Sequence, residues 1–236
     1  MKATTKSYED DRVIYLLPSL GSDHRLFQNF EIEGYETHII EYPTVSINEP
    51  IEEYCKKLVK QIKHENPILL GVSFGGLLSI ELAKIISSPK VFLISTIKNK
   101  TERPYFLTFC RSVFAYRWIS IPYFKKYIRN RMANDGLLER SESSRLYIEM
   151  LEDADEDFLL WGFKQVCIWK GSECPSEVVH FHGTADEVFP FSRVNQDEEI
   201  KDGDHMMIFN SPEKILPIIE KYISGSAKSK VSSKIA

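Results

Sequence analysis

No run in this 236-residue chain approaches the roughly 18 consecutive apolar residues of a membrane-spanning helix. The start, Met1-Lys2-Ala3-Thr4-Thr5-Lys6, has no apolar stretch and does not read as a secretory signal. Cysteine is sparse. Cys55, Cys110, Cys167 and Cys174 lack the paired spacing of a zinc site and, without an export signal, read as reduced thiols. The expected location is the cytoplasm. A strong charge of one sign is also missing: the net charge of −4 gives no reason to expect nucleic acid as a partner. What is present is ordinary for a globular protein, with 43% hydrophobic and 27% charged residues. A chain of this length can bury most of the surface that its unfolded form exposes, and it reads as one domain over 1–236.

Strand-like and helical patterns alternate. Strands are expected at residues 13–17, 37–42, 68–71, 91–96, 178–182 and about 199–202. Ile51, Tyr54, Cys55, Leu58, Val59 and Ile62 follow one helix face, with Ser46 or Asn48 as cap and Pro50 in the first turn. A last helix starts at Ser211-Pro212 with Ile215, Ile218, Ile219, Tyr222 and Ile223 inward, and Pro217 is expected to distort it. Such alternation implies right-handed crossovers and a mostly parallel sheet of about six strands. From about 224 to 236 the chain is Ser, Lys and Ala with few apolar residues, and a disordered tail is expected.

One strand end carries the strongest signal. Ile68-Leu69-Leu70 runs into Gly71-Val72-Ser73-Phe74-Gly75, and a helix that is apolar nearly all round begins at once. G-x-S-x-G at a strand-to-helix turn is a nucleophile elbow in form: the serine backbone is strained, and the glycines remove the Cβ atoms that would clash. Two further segments follow in the chain. Val178-Val179-His180-Phe181-His182-Gly183 is strand-like and leads to Asp186, with Glu187 beside it as a rival acid. Gly203-Asp204-His205 follows the last short strand. A serine hydroxyl needs a base, histidine titrates in the right range, and a carboxylate must orient the imidazole. His180 and His182 lie two apart and share a side of the sheet, but no ligand-type residue supports a metal site there. His24 lies near the loop after the first strand and is the one further histidine of interest.

Ser73, Asp186 and His205, in that order, resemble an α/β-hydrolase-fold serine hydrolase from about Val13 to Ile223. The resemblance implies a three-layer α/β architecture with helices on both faces of the sheet and no metal or organic cofactor. It implies backbone N–H groups of Leu20 and Phe74 as an oxyanion hole. The chain has Pro18-Ser19 where relatives more often have His-Gly, so Ser19 stands beside Leu20 as the alternative donor. It also implies cleavage of a small-molecule carboxylic ester or thioester through an acyl-enzyme. Acyl transfer or carbon–carbon cleavage by the same triad, and a binding or signalling module with little turnover, are the alternatives. The span from Asp186 to His205 is short for the family, so the usual helix between them is expected to be missing.

Between about 97 and 176 the alternation breaks, and the resemblance implies a helical lid. The stretch is aromatic-rich, from Tyr105 and Phe106 to Trp161 and Trp169. Most of these rings are expected in the core of the lid, with about a third facing an apolar pocket. Residues 97–131 hold nine Lys/Arg and one acid, whereas 132–157 hold nine Asp/Glu and two Arg. The favoured account is two lid layers of complementary charge. The alternatives are a basic entrance for anionic substrates and a surface that rests on a membrane.

Overall fold

A computed structural model describes residues 12–171 and 173–225. The expected tail lies outside the described residues, apart from Ser224 and Gly225, which form a turn after the last helix. Six strands form one sheet: β1 (Val13–Leu17), β2 (Glu36–Ile39), β3 (Ile68–Val72), β4 (Lys90–Ile94), β5 (Glu177–Gly183) and β6 (Glu198–Ile200). Their order is β2-β1-β3-β4-β5-β6, and every neighbouring pair is parallel. The chain moves outward from β1 to β2, then returns past β1 to β3. That reversal opens a crevice at the carboxyl ends of β1 and β3, the usual place for a ligand in such sheets.

Both faces of the central strands are buried, which is why they read as continuous apolar runs. In β1, Val13, Tyr15 and Leu17 enter one core cluster, and Ile14 and Leu16 enter the other. The first cluster is closed by α1 (Ile51–Val59) and α2 (Phe74–Leu82), the second by α8 (Met207–Asn210) and α9 (Pro212–Ile223). Every residue of α2 is buried, so its all-round apolar sequence matches its place.

One local expectation needs correction. Neither Ser46 nor Asn48 caps α1. Pro50 holds the cap position, extended and with no N–H of its own to satisfy. Ser46 instead closes a turn with Glu49, whose N–H donates to the Ser46 carbonyl at 2.8 Å. The helix α9 continues through Pro217. The proline sits on the exposed side while Ile215, Ile219 and Tyr222 point inward, so the hydrogen bond it forfeits faces water.

Five helices lie between β4 and β5: α3 (Tyr105–Ser112), α4 (Ile121–Asn134), α5 (Leu137–Arg140), α6 (Glu142–Asp153) and α7 (Glu156–Ile168). They have a small core of their own around Ile121, Ile148, Leu151 and Leu159. Buried tryptophans tie this segment to the helical layer of α1 and α2: Trp161 Nε1 donates to the Glu49 carbonyl just before α1 and Trp169 Nε1 to Glu81 Oε1 in α2, each at 2.7 Å. Arg103, also buried, donates to the carbonyls of Val166 and Trp169 and anchors the chain just before α3.

The expected burial of the segment's aromatics fails. Phe158, Trp161 and Trp169 are buried, but Tyr105, Phe106, Phe109, Phe114, Trp118, Tyr123 and Tyr127 are exposed. Helices as short as α3 fill their inner face with few residues (Leu107 alone in α3). The remaining rings find only partial cover, as where Arg193 lies over the Tyr105 ring at 3.9 Å and Phe106 and Tyr127 line the wall of a cavity. The favoured charge layering is also weak. Arg129–Glu152 at 2.6 Å and Arg131–Asp135 at 3.6 Å are the only side-chain ion pairs between the basic and acidic halves among the described residues. Among the described residues, no helix is long and apolar enough to cross a membrane.

Candidate active site

The turn from β3 into α2 forces Ser73 to φ 53°, ψ −116°, a backbone conformation that side-chain-bearing residues rarely adopt. The flanking glycines make the turn possible. A Cβ on Gly71 would overlap the Gly75 carbonyl, and one on Gly75 would overlap the carbonyls of Leu17 and Pro18. Backbone hydrogen bonds hold the strain in place. The Ser73 N–H donates to the Ile94 carbonyl at 2.9 Å, and Thr96 Oγ1 donates to the Ser73 carbonyl at 2.6 Å. Nothing in the neighbourhood of Thr96 signals that it clamps a turn more than twenty residues away.

Asp186 lies in the turn after β5 and is buried. Its Oδ1 accepts the N–H groups of Val188 and Phe189, each at 2.9 Å. Burial pushes its carboxyl upward in pKa, but the charge and hydrogen bond of His205 and the Phe189 amide outweigh this, and the net shift is downward. Asp186 is thus held as a carboxylate. The rival acid Glu187 is exposed and makes no hydrogen bond to His205.

His205 follows β6 and bridges the other two residues. Its Nδ1 lies 2.9 Å from Asp186 Oδ2, and its Nε2 lies 3.0 Å from Ser73 Oγ. With an acceptor-only carboxylate on Nδ1, the proton is assigned to Nδ1, which leaves the Nε2 lone pair facing the hydroxyl. The expected loop between Asp186 and His205 is present, with one short 3₁₀ turn at Phe191–Arg193 and no α-helix.

Leu20 and Phe74 lie beside Ser73 in the wall of one cavity, together with Ser19. Phe74 is the first residue of α2, so its N–H has no partner within the helix. Among the described residues, neither the Leu20 nor the Phe74 N–H donates to a protein acceptor. The loop that carries Leu20 is fixed by Tyr42, whose hydroxyl donates to the Pro18 carbonyl at 2.7 Å. Gly21 turns it at φ +77°, against Leu151 and Leu159.

The cavity measures about 450 Å³. Its lining includes Ile121, Phe124, Ile128, Met132, Leu151 and Leu159, and no Lys, Arg, Asp or Glu. This size falls within the roughly 300–1,000 Å³ usual for small-molecule sites. The lack of charge leaves no ion-pairing partner inside for an anionic group.

The other histidines sort by environment. His182 Nε2 donates to the Phe189 carbonyl at 2.7 Å, so it braces the turn that holds Asp186. Burial lowers the pKa of both His180 and His182. His24 is exposed beside Asp23, at 3.7 Å, and takes no part in the site. A group the sequence did not suggest lies at the β2 edge: ligand-capable atoms of Glu36, His38 and His64 fall within 4.8 Å of one another. Strand β1 separates it from β3 and Ser73.

No protein-family model matches the chain, and no curated protein matches it in sequence. Solved structures match it in shape. A thermophilic esterase from Thermogutta terrifontis superposes with a TM-score of 0.66 at 14% identity, over 92% of this chain and 90% of that one. The enol-lactonase from Burkholderia xenovorans LB400 gives 0.65 at 11% identity, over 93% and 94%. The RedJ thioesterase of the prodiginine pathway in Streptomyces coelicolor gives 0.58 at 12% identity, over 89% of each chain. With the all-parallel sheet order and the helices on both its faces, these likenesses show that the chain has the α/β-hydrolase fold.

Proposed function

We propose that this protein is a serine hydrolase that cleaves a carboxylic ester or thioester with an apolar acyl group. The observation that carries the reading is the continuous hydrogen-bonded series from Ser73 Oγ through His205 to Asp186, at 3.0 and 2.9 Å. Ser73 Oγ attacks the substrate carbonyl while His205 Nε2 takes its proton. Asp186 holds the imidazole in one tautomer and stabilises the imidazolium. The carbonyl oxygen, now anionic, accepts the N–H groups of Leu20 and Phe74. Donors of this kind are each worth roughly 10²–10³ in turnover. His205 then protonates the leaving oxygen or sulfur, and the acyl-enzyme forms. Water then attacks the acyl carbon while His205 takes its proton, and His205 passes that proton to Ser73 Oγ as the Oγ–acyl bond breaks and the acid leaves. The apolar cavity supports an acyl chain as the group held beside Ser73.

The test is labelling with a fluorophosphonate, then turnover of p-nitrophenyl esters of graded chain length, with Ser73→Ala alongside. Stoichiometric labelling at Ser73, and turnover lost in the variant, are expected. Folded protein that takes no label removes the proposal and leaves a binding role on this fold.

A further inference from the structure

Twelve large apolar side chains are exposed among the described residues, and eight of them fall within residues 105–127. Phe109 is 66% exposed, Tyr123 71% and Trp118 86%. Exposed apolar residues scattered singly are normal, but a concentration of this kind marks an interaction surface. The same stretch is cationic: residues 104–131 carry six Lys/Arg and no acid. Lys125 is buried on the carbonyls of Glu152 and Ala154, and Arg129 and Arg131 pair with Glu152 and Asp135. Arg111, Arg117 and Lys126 are exposed, with no carboxylate partner among the described residues. The cavity beside Ser73 reaches this surface, since the exposed Phe106, Tyr127 and Val188 form part of its wall.

We propose that the aromatic and cationic surface of α3 and the start of α4 docks on an anionic lipid bilayer, from which an acyl chain enters the cavity beside Ser73. The second half of this proposal rests on the hydrolase reading; the docking does not. Tyrosine and tryptophan suit the headgroup level because one end of each ring is apolar and the other polar. Unpaired Lys and Arg draw such a surface to anionic lipid. A second copy of the chain fits poorly. A two-fold contact sets a patch against itself, and here the unpaired Arg111, Arg117 and Lys126 would meet their own copies. A bilayer also explains why the cavity opens through the patch. An acyl chain leaving the lipid would reach apolar walls without crossing water.

The full chain carrying Ser73→Ala is sedimented with vesicles of equimolar phosphatidylglycerol and phosphatidylcholine, and with phosphatidylcholine alone. Binding to the anionic vesicles is expected, with little to the neutral ones. Raising salt from about 0.05 M to about 0.5 M should release the protein. Reversing three cations (Arg111→Glu, Arg117→Glu, Lys126→Glu) should weaken binding at least roughly a hundredfold. Phe109→Ser with Trp118→Ser should also weaken it. Each variant is made in the wild-type background as well, where unchanged fluorophosphonate labelling and soluble-ester turnover certify its fold. Should a variant fail to fold, the salt response of the parent protein decides.

Equal binding to both vesicle types, or binding to neither, overturns the docking. So does a dimer in solution that the Phe109 and Trp118 changes dissolve, because the patch then belongs to a second copy. Retention only on an acidic soluble protein overturns it too. Labelling and vesicle binding are separate readouts. Binding without labelling removes the hydrolase reading alone, and labelling without binding removes the docking alone. Where both hold, esters embedded in anionic vesicles should be cleaved at least about tenfold faster than the same esters in neutral ones, for an enzyme concentrated at the substrate surface.

Discussion

At the residue scale, the site depends on which of two adjacent carboxylates faces His205. The sequence favoured Asp186 over Glu187 by resemblance alone. Burial and two backbone N–H donors separate them physically. Asp186→Asn should lower kcat by roughly 10⁴-fold, because the amide favours the wrong histidine tautomer. Glu187→Gln should leave kcat within about twofold, as an exposed side chain away from the reacting atoms. Steady-state kinetics on one soluble ester checks both. A second prediction concerns His180, which burial holds neutral with a pKa well below the ordinary 6.5. The unfolded chain takes up a proton as pH falls through 6.5 while the folded one does not. Stability therefore rises with pH in this window and is lost below it. Between pH 7 and pH 5 His180 therefore makes the folded state less stable. His182 adds to this in the same direction. Urea midpoints at the two pH values should differ strongly in the parent protein and clearly less in His180→Leu.

At the element scale, the elbow between β3 and α2 is the most constrained part of the chain. A Cβ on Gly75 meets backbone carbonyls of the strand-end loop, which cannot rotate away as a side-chain tip would. Gly75→Ala should therefore either fail to fold or push α2 away from β1. Recovery in the soluble fraction and fluorophosphonate labelling should both collapse. Labelling at the parent level would show that the turn tolerates a side chain and that its tightness has been overstated. The elements themselves were legible: six strands, α1, α2 and α9 appear close to their expected positions. Their cores demand long apolar runs or a regular stripe, and both leave a pattern. The misplaced detail, the α1 cap, turns on where one side chain faces. Periodicity does not carry that information.

At the scale of the whole molecule, the cavity is a joint product of distant segments. Residues from the loop after β1, from the elbow, from the helices between β4 and β5, and from the loops after β5 and β6 converge on it. Ile128 and Met132 lie one helical turn apart on α4 and face it together. Met132→Trp should fill part of that space. Turnover of a p-nitrophenyl octanoate should fall at least about tenfold, while the acetate changes by less than about threefold. An equal fall on both esters would mean that the acyl group lies elsewhere.

The sequence alone determined the alternation of strands and helices, the elbow, and the chain order of serine, acid and histidine. Each is a local pattern that must be present before the chain meets itself. Tertiary structure decided what depends on distant residues meeting. It set Asp186 rather than Glu187 against His205, brought Thr96 and Tyr42 to brace the elbow and the Leu20 loop, and drew Glu36, His38 and His64 together. It also decided the fate of the aromatics between β4 and β5. Hydrophobicity predicts that such rings seek burial. Whether burial is available depends on how many neighbours the fold supplies, and around α3 and the start of α4 it supplies too few.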